Sequence, residues 1–253
     1  GNRRLADGVW RSGSIDTDAG YFAEVDDTEH SGEWTADTLG AMIQSDYGNP
    51  VYIERALKTA KLMRDLWMDV NERGQFLMRS NFLGASGVGQ GSRASDSRIN
   101  LRPAAPALAV LRYNSLPAIE TLFVRWADTW LEASLSTARG KPRGVIPQEI
   151  AFFDGKIGGV DSPTWFTAAH PPDAVNYDWG GVGSYHDAIV DLLITAFQAT
   201  ADRKYLAPLE LEAEFVRDNL PESTRQSPYF GRAGRPHPEL WAGLPEGSDE
   251  WVA

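Results

Sequence analysis

Residues 177–206 read YDWGGVGSYHDAIVDLLITAFQATADRKYL, a Gly-rich lead-in that runs into an apolar helix. Ser184, Tyr185, His186 and Asp187 stand where that helix should begin. Ser184 suits an N-cap, since its hydroxyl can accept a backbone N–H of the first turn. A histidine in the first turn feels the positive end of the helix dipole. That lowers its pKa and favours a neutral imidazole able to act as a base. Tyr185 and Tyr177 are phenols that can give up a proton at the mouth of a cleft. The competing use of Tyr185 and His186 is packing against neighbouring loops, and residue type weighs the two evenly.

A second group carries positive charge. Arg79, Arg93, Arg98 and Arg102 face a single acid, Asp96, in the stretch from Arg79 to Arg102, within a chain of net charge −11. An anionic ligand repelled by the body of the protein would be drawn to this loop. Asn81 lies among these arginines. The competing use of the arginines is pairing with the abundant acids. His30, Glu33, Gln148 and Glu149 fall in other long connections, and Trp179, Trp165, Trp10 and Tyr177 offer aromatic faces.

Positioning these residues requires helices. Trp34, Leu39, Met42, Ile43 and Tyr47 recur at helical spacing, and Gly48-Asn49-Pro50 ends that run. Val51, Ile53, Ala56, Leu57, Ala60, Met63, Leu66 and Trp67 mark the apolar side of the next helix, with Pro50 at its entry. Helical character returns from Pro106 to Leu111, breaks at Asn114–Pro117, and resumes from Ala118 to Leu135. Residues 177–206 and then Pro208 to Leu220 form a third pair. Residues 68–102 and 137–183 are long connections, the second with a short strand or hairpin around Ala151–Lys156. The three pairs repeat one design, an apolar helix joined by a short turn to an amphipathic one. Such repetition marks an array whose neighbours bury one another's faces. Short turns lie at one end of every pair, so the loops 14–33, 79–105 and 137–183 are expected on a single rim. Long loops of this kind usually carry function.

The turns YGNPVYIERA and TADRKYLAP are similar to the "TGD-x-x-Y-L" turn between inner and outer helices of (α/α) toroid proteins that degrade carbohydrates. The entry YDWGGVGSYHD and the segment DDTEHSGEWTADTLG fit as well. The chain thus resembles the polysaccharide lyases and six-hairpin glycosidases over most of residues 25–220. The resemblance implies an all-α fold, a single toroid-like domain over 1–253 with at most a small β-hairpin. Three hairpins are visible where such toroids have five to seven. A fragment is therefore expected, with a second chain or missing segment covering its apolar edges.

On that scaffold the favoured chemistry is β-elimination on a uronic acid within an acidic polysaccharide. The C5 proton is weakly acidic, so the neighbouring carboxylate must be neutralised while a base removes the proton and an acid protonates the leaving oxygen. His186 or His30 is the expected base and Tyr185 or Tyr177 the acid. Arg79, Asn81, Arg98 and Arg102 would hold the carboxylate, with Glu33, Gln148 and Trp179 completing the binding surface. One alternative is a glycoside hydrolase, which needs two carboxyls about 5–9.5 Å apart. Glu29, Glu33, Glu149, Asp178 and Asp187 are available, and no pair stands out. The other alternative is a non-catalytic carbohydrate-binding module.

Other classes have less support. A pI near 4.8 disfavours nucleic-acid binding. The absence of Cys excludes disulfides and thiolate chemistry. No apolar run approaches the ~18 residues that cross a bilayer. The N-terminus GNRRLADG has no signal-peptide core, so a secreted or periplasmic location implies a signal already removed. No cofactor is expected. Asp26, Asp27, Glu29 and His30 cluster metal-ligand types without a recognised spacing, which leaves a divalent metal open. G-x-S-x-G and the Lys-Ser/Thr of a phosphate loop are both missing.

Overall fold

The computed structural model describes residues 39–83, 87–162, 164, 165 and 186–219, together with four two-residue strands between residues 3 and 21. Helices joined in pairs by short turns make up most of it, with small antiparallel sheets between the pairs. Helix α1 (39–45) turns through residues 46–49 into α2 (Pro50–Leu62), where Asn49 Oδ1 accepts the Val51 N–H at 3.0 Å and Pro50 takes the first helical position. Helix α3 (Leu101–Tyr113) and α4 (Pro117–Leu135) are separated by residues 114–116. Helix α5 (His186–Thr200) and α6 (Ala207–Asn219) are joined by a turn in which Asp202 Oδ1 caps the Lys204 N–H at 3.0 Å.

These are the three expected pairs, with two differences. Helix α3 begins at Leu101, five residues before Pro106. Prolines at 103 and 106 hid that start; Pro103 lies in the first turn, where the N–H groups have no partner inside the helix, while Pro106, the sixth residue, leaves the Arg102 carbonyl without its i+4 donor. On α2 the buried side is Ala56, Thr59, Ala60 and Leu62, continued by Met63 and Trp67 of the π-helical turn Met63–Trp67, while Val51 and Leu57 are exposed.

The long connections contain more strand than the expected single hairpin. The backbone pairs β1 (Arg3–Arg4) with β2 (Trp10–Arg11) and β3 (Asp16–Thr17) with β4 (Gly20–Tyr21). Strand β5 (Met68–Val70) follows the π turn and pairs with β6 (Phe76–Met78) around a loop built on Asn71, whose Oδ1 accepts the Arg73 and Gln75 N–H groups. Strand β7 (Ser95–Ser97) pairs with β8 (Glu149–Ala151) in the register Ser97↔Glu149, Asp96↔Ile150, Ser95↔Ala151. Strand β8 leads into Ala151–Lys156, where the sequence suggests a short strand or hairpin, and an Ile150↔Ile157 bridge closes this stretch.

The apolar side chains join in one core. Helix α2 packs chiefly on α3, and α4 chiefly on α5, so each pair covers the face of the next. Trp126, Trp130 and Phe123 of α4 are fully buried among Ile189, Leu192 and Leu193 of α5 and Leu77 and Met78 of β6. Tyr205, in the turn between α5 and α6, is buried and donates its hydroxyl to Asp128 Oδ1 at 2.8 Å, which seats the third pair on α4. No helix among the described residues is long and apolar enough to cross a membrane.

Candidate functional site

The β7–β8 sheet is where two of the three long connections meet. It brings the 79–105 loop, with Arg79 and Asn81, against the 137–183 loop, with Gln148 and Glu149. Asn81 is 2% exposed and Glu149 is 1% exposed. The Asn81 amide donates to Glu149 Oε1 and to Ser92 O, both at 3.3 Å, so both of its protons are engaged by the protein. Gly159 closes the other side of Glu149. Its φ of 89° suits glycine, and a Cβ there would overlap Glu149 Oε2. Ser95 Oγ accepts the Val160 N–H at 3.3 Å, which keeps this glycine turn against the sheet.

Beneath the sheet lies a buried anion. Asp96 has no exposed surface. Its Oδ2 accepts from Trp126 Nε1 at 2.6 Å, Trp130 Nε1 at 3.3 Å and the Met78 N–H at 3.3 Å. Its Oδ1 accepts from Asn100 Nδ2 at 3.1 Å. Burial pushes the carboxyl up to about 7, against the downward pull of the Trp126, Asn100, Met78 and Trp130 donors. The carboxylate thereby ties β7 to β6, to α4 and to the first turn before α3.

Beside the sheet lie two buried cations. Arg98 is fully buried, donating through Nε to Pro147 O at 2.9 Å and through Nη2 to Ile146 O. Burial pulls it down to about 10, with Glu212 opposing, so it stays charged at neutral pH. Lys141 Nζ donates to Ser134 O at 2.7 Å, Val145 O at 2.5 Å and Pro142 O at 3.0 Å. Burial pulls Lys141 down to about 7, the Glu212 carboxylate pulls it back up, and Arg98 adds a small push down. Arg139 acts in the same manner farther along. It donates to Ile157 O, Thr164 O and Ser162 O at 2.6, 2.8 and 2.9 Å. Arg98, Arg139 and Lys141 thus serve to hold backbone carbonyls of irregular chain.

The expected site residues fall into three groups. The β7–β8 pairing brings together the segments that carry Asn81, Arg98 and Gln148, with Arg98 N–H donating to Gln148 O and the Asn81 amide to Glu149; Arg79 stands two residues before Asn81, and Arg102 is half-buried in the first turn of α3. Two of these residues have other roles in the structure. Arg98 was expected to hold a substrate carboxylate, but its fully buried guanidinium is committed to two backbone carbonyls. Asn81 was expected to donate to that carboxylate, but both of its amide protons are already donated. Arg79 is half-buried and Gln148 is buried, and neither side chain has a hydrogen-bond or ion-pair partner among the described residues. The unpartnered buried atoms are Arg79 Nε and Gln148 Oε1. His186 is the first residue of α5, as the helix start required. His30, Glu33, Tyr177, Trp179 and Tyr185 lie outside the described residues, as do the metal-ligand cluster 26–30 and the carboxyls Glu29 and Asp178. Trp165, a candidate for sugar stacking, is 1% exposed and buried.

Sequence reasoning missed Asp96, Lys141 and Glu212 as organising charges. A signal for the first was present. Trp126 and Trp130 are four apart on one helix, so their indole N–H groups share a face that needs an acceptor. Among the described residues no three His, Asp or Glu side chains gather as metal ligands. Comparison of the chain with family models, curated proteins and solved structures gives no match.

Proposed function

We propose that the protein is a polysaccharide lyase of (α/α) toroid type that cleaves a uronic-acid polysaccharide by β-elimination, with Arg79 neutralising the substrate carboxylate. The observation that carries this reading is the pair Arg79 and Gln148. Each is a polar side chain withdrawn from water and without a partner among the described residues. They neighbour in the chain the two residues of the Asn81–Glu149 hydrogen bond, Arg79 two residues before Asn81 and Gln148 one before Glu149. A half-buried guanidinium binds a carboxylate through two parallel N–H bonds, and partial removal from water strengthens them. Neutralised in this way, the carboxylate lets the adjacent C5–H ionise. An amide such as that of Gln148 can donate to the same group as charge develops.

The remaining roles follow from the chemistry. His186 at the first turn of α5 is suited to remove the C5 proton as a neutral imidazole, with His30 as the other candidate. Tyr185 or Tyr177 protonates the leaving oxygen, and Glu33, Trp179 and Arg102 line the glycan. The helix pairs that cover one another, α2 on α3 and α4 on α5, support the toroid-like arrangement.

Incubation with a set of uronic-acid polysaccharides, followed by the ultraviolet absorbance of the unsaturated product, tests the reading. Absorbance should rise with one polymer, and Arg79→Ala should slow that rise by about a hundredfold or more. Release of reducing ends without ultraviolet absorbance would replace elimination by hydrolysis.

A further inference from the structure

Arg79 is gripped on both sides. Met78, before it, donates its N–H to Asp96 Oδ2 at 3.3 Å, and Ser80, after it, has its carbonyl bonded by Asn100 Nδ2 at 3.4 Å. The same Asn100 amide donates to Asp96 Oδ1 at 3.1 Å. Asp96 and Asn100 therefore form one unit that fixes the backbone carrying Arg79.

The groups that face the Asp96 carboxyl are all neutral donors: the Met78 N–H from β6, the Trp126 and Trp130 indoles from α4, and the Asn100 amide. Strand β8 presents Ile150 across the ladder. The nearest buried charges are turned elsewhere, Arg98 to the Ile146 and Pro147 carbonyls and Glu149 to Asn81. Burial without a cation holds this carboxyl's pKa near 7. One buried atom beside it has no partner among the described residues, Asn100 Oδ1. A half-turn of the Asn100 amide exchanges Oδ1 with Nδ2. It would set an acceptor against Asp96 Oδ1, where a carboxylic proton needs one, and it would withdraw the N–H from Ser80 O.

We infer that Asp96 is the positioning residue of the Arg79 site and that the Asn100 amide is its proton-linked partner. With Asp96 ionised, the segment Met78–Asn81 is held on both sides of Arg79. With a proton on Asp96, the Asn100 amide turns to accept it and the hold on Ser80 is released. Affinity at Arg79 then depends on pH through a group that never touches the ligand. The inference rests on the reading of Arg79 as the group that binds a uronate carboxylate.

The experiment is a titration of the intact ¹⁵N-labelled chain across about pH 5 to 9. The indole N–H resonances are followed, with Trp126→Phe and Trp130→Phe identifying the two that matter, and free glucuronate is the probe for the site. In the wild type both resonances should move through one shared midpoint near neutrality. In Asp96→Asn they should stay still, because an asparagine amide imitates the protonated carboxyl by donating to the rotated Asn100. Glucuronate affinity should change about five- to tenfold between the ends of the wild-type titration and stay constant in Asp96→Asn. Should Asp96→Asn not fold, Trp126→Phe gives a second test. It removes a donor to the ionised carboxylate and should move the Trp130 midpoint to higher pH. Arg79→Ala should abolish glucuronate binding and leave the indole titration intact. Indole resonances that stay fixed in the wild type, or move equally in Asp96→Asn, overturn the inference. An affinity that ignores a demonstrated Asp96 titration also overturns it. Glucuronate binding that survives in Arg79→Ala, or is absent at every pH, overturns the reading of Arg79 and with it the positioning role, whatever the indoles do.

Discussion

Asp96 and Lys141 are both charges withdrawn from water, and the protein satisfies them by opposite means. Asp96 is met by two indoles of α4, the side-chain amide of Asn100 before α3 and the Met78 N–H of β6, donors drawn from three separate parts of the chain. Lys141 is met by three backbone carbonyls within a short stretch of chain. The reason lies in which groups each region has to spare. A carbonyl oxygen has two lone pairs, so those at a helix C-terminus and in irregular loops can take a second donor. Ser134 O, in the last turn of α4, accepts the Gly144 N–H at 2.9 Å as well as the Lys141 ammonium, and a cation is favourable there. Spare N–H donors are rare inside a core, so an anion there needs donors from side chains that tertiary packing delivers. The cation therefore organises its own loop, whereas the anion organises the meeting of β6, β7, α3 and α4, on which the candidate site stands.

Removing each charge tests the contrast. Asp96→Ala leaves four buried donors without an acceptor, and a loss of about 4–5 kcal/mol is expected, enough to unfold a marginal domain. Lys141→Met leaves carbonyls, which tolerate lost partners better than N–H groups do, and about 2–3 kcal/mol is expected. Urea denaturation followed by circular dichroism measures both, and equal losses would erase the distinction. Within the anion's shell the two indoles should differ. Trp126→Phe deletes the 2.6 Å bond and should cost about 2 kcal/mol, while Trp130→Phe deletes the 3.3 Å bond and should cost about 1 kcal/mol. The smallest effect is expected at the surface. The Arg73–Glu132 pair is half exposed on both sides, and Glu132→Gln should change stability by less than about 1 kcal/mol. A larger loss there would mean that exposed pairs matter as much as the buried ones.

How much of this could be read in the sequence depended on whether the relevant signal was local. The helix pairs were legible, because apolar spacing and the breaks at Gly48-Asn49-Pro50, Asn114–Pro117 and Asp202 lie within a few residues of what they shape. Strands β5, β7 and β8 span three residues each, too few for a period-two pattern to show. The start of α3 was masked by Pro103 and Pro106. Of the candidate site, Arg79, Asn81 and Gln148 were singled out from residue type and loop position, and the β7–β8 pairing does bring their loops together. Arg98 was misjudged since an arginine in a polar loop reads as a binder, and the carbonyls that capture it lie 48 and 49 residues on. Asp96 was seen only as the single acid among arginines. Its partners Trp126 and Trp130 are 30 and 34 residues away, beyond the reach of any local pattern.

The pH dependence of the two charges carries opposite signs. Asp96 is raised from 3.8 to about 7, so between those values the folded protein keeps a proton that the unfolded chain has lost, and stability falls as pH rises. Lys141 is lowered from 10.5 to about 7, so between about 7 and 10.5 the unfolded chain holds the extra proton, and stability rises with pH. The most direct test of the central claim, that a buried carboxylate without a cation organises the site, is urea denaturation of wild type and Asp96→Asn at about pH 5 and about pH 7. The account predicts that the wild type loses stability relative to the variant as pH rises, by on the order of 1 kcal/mol per pH unit. Parallel pH dependence in the two proteins would contradict it.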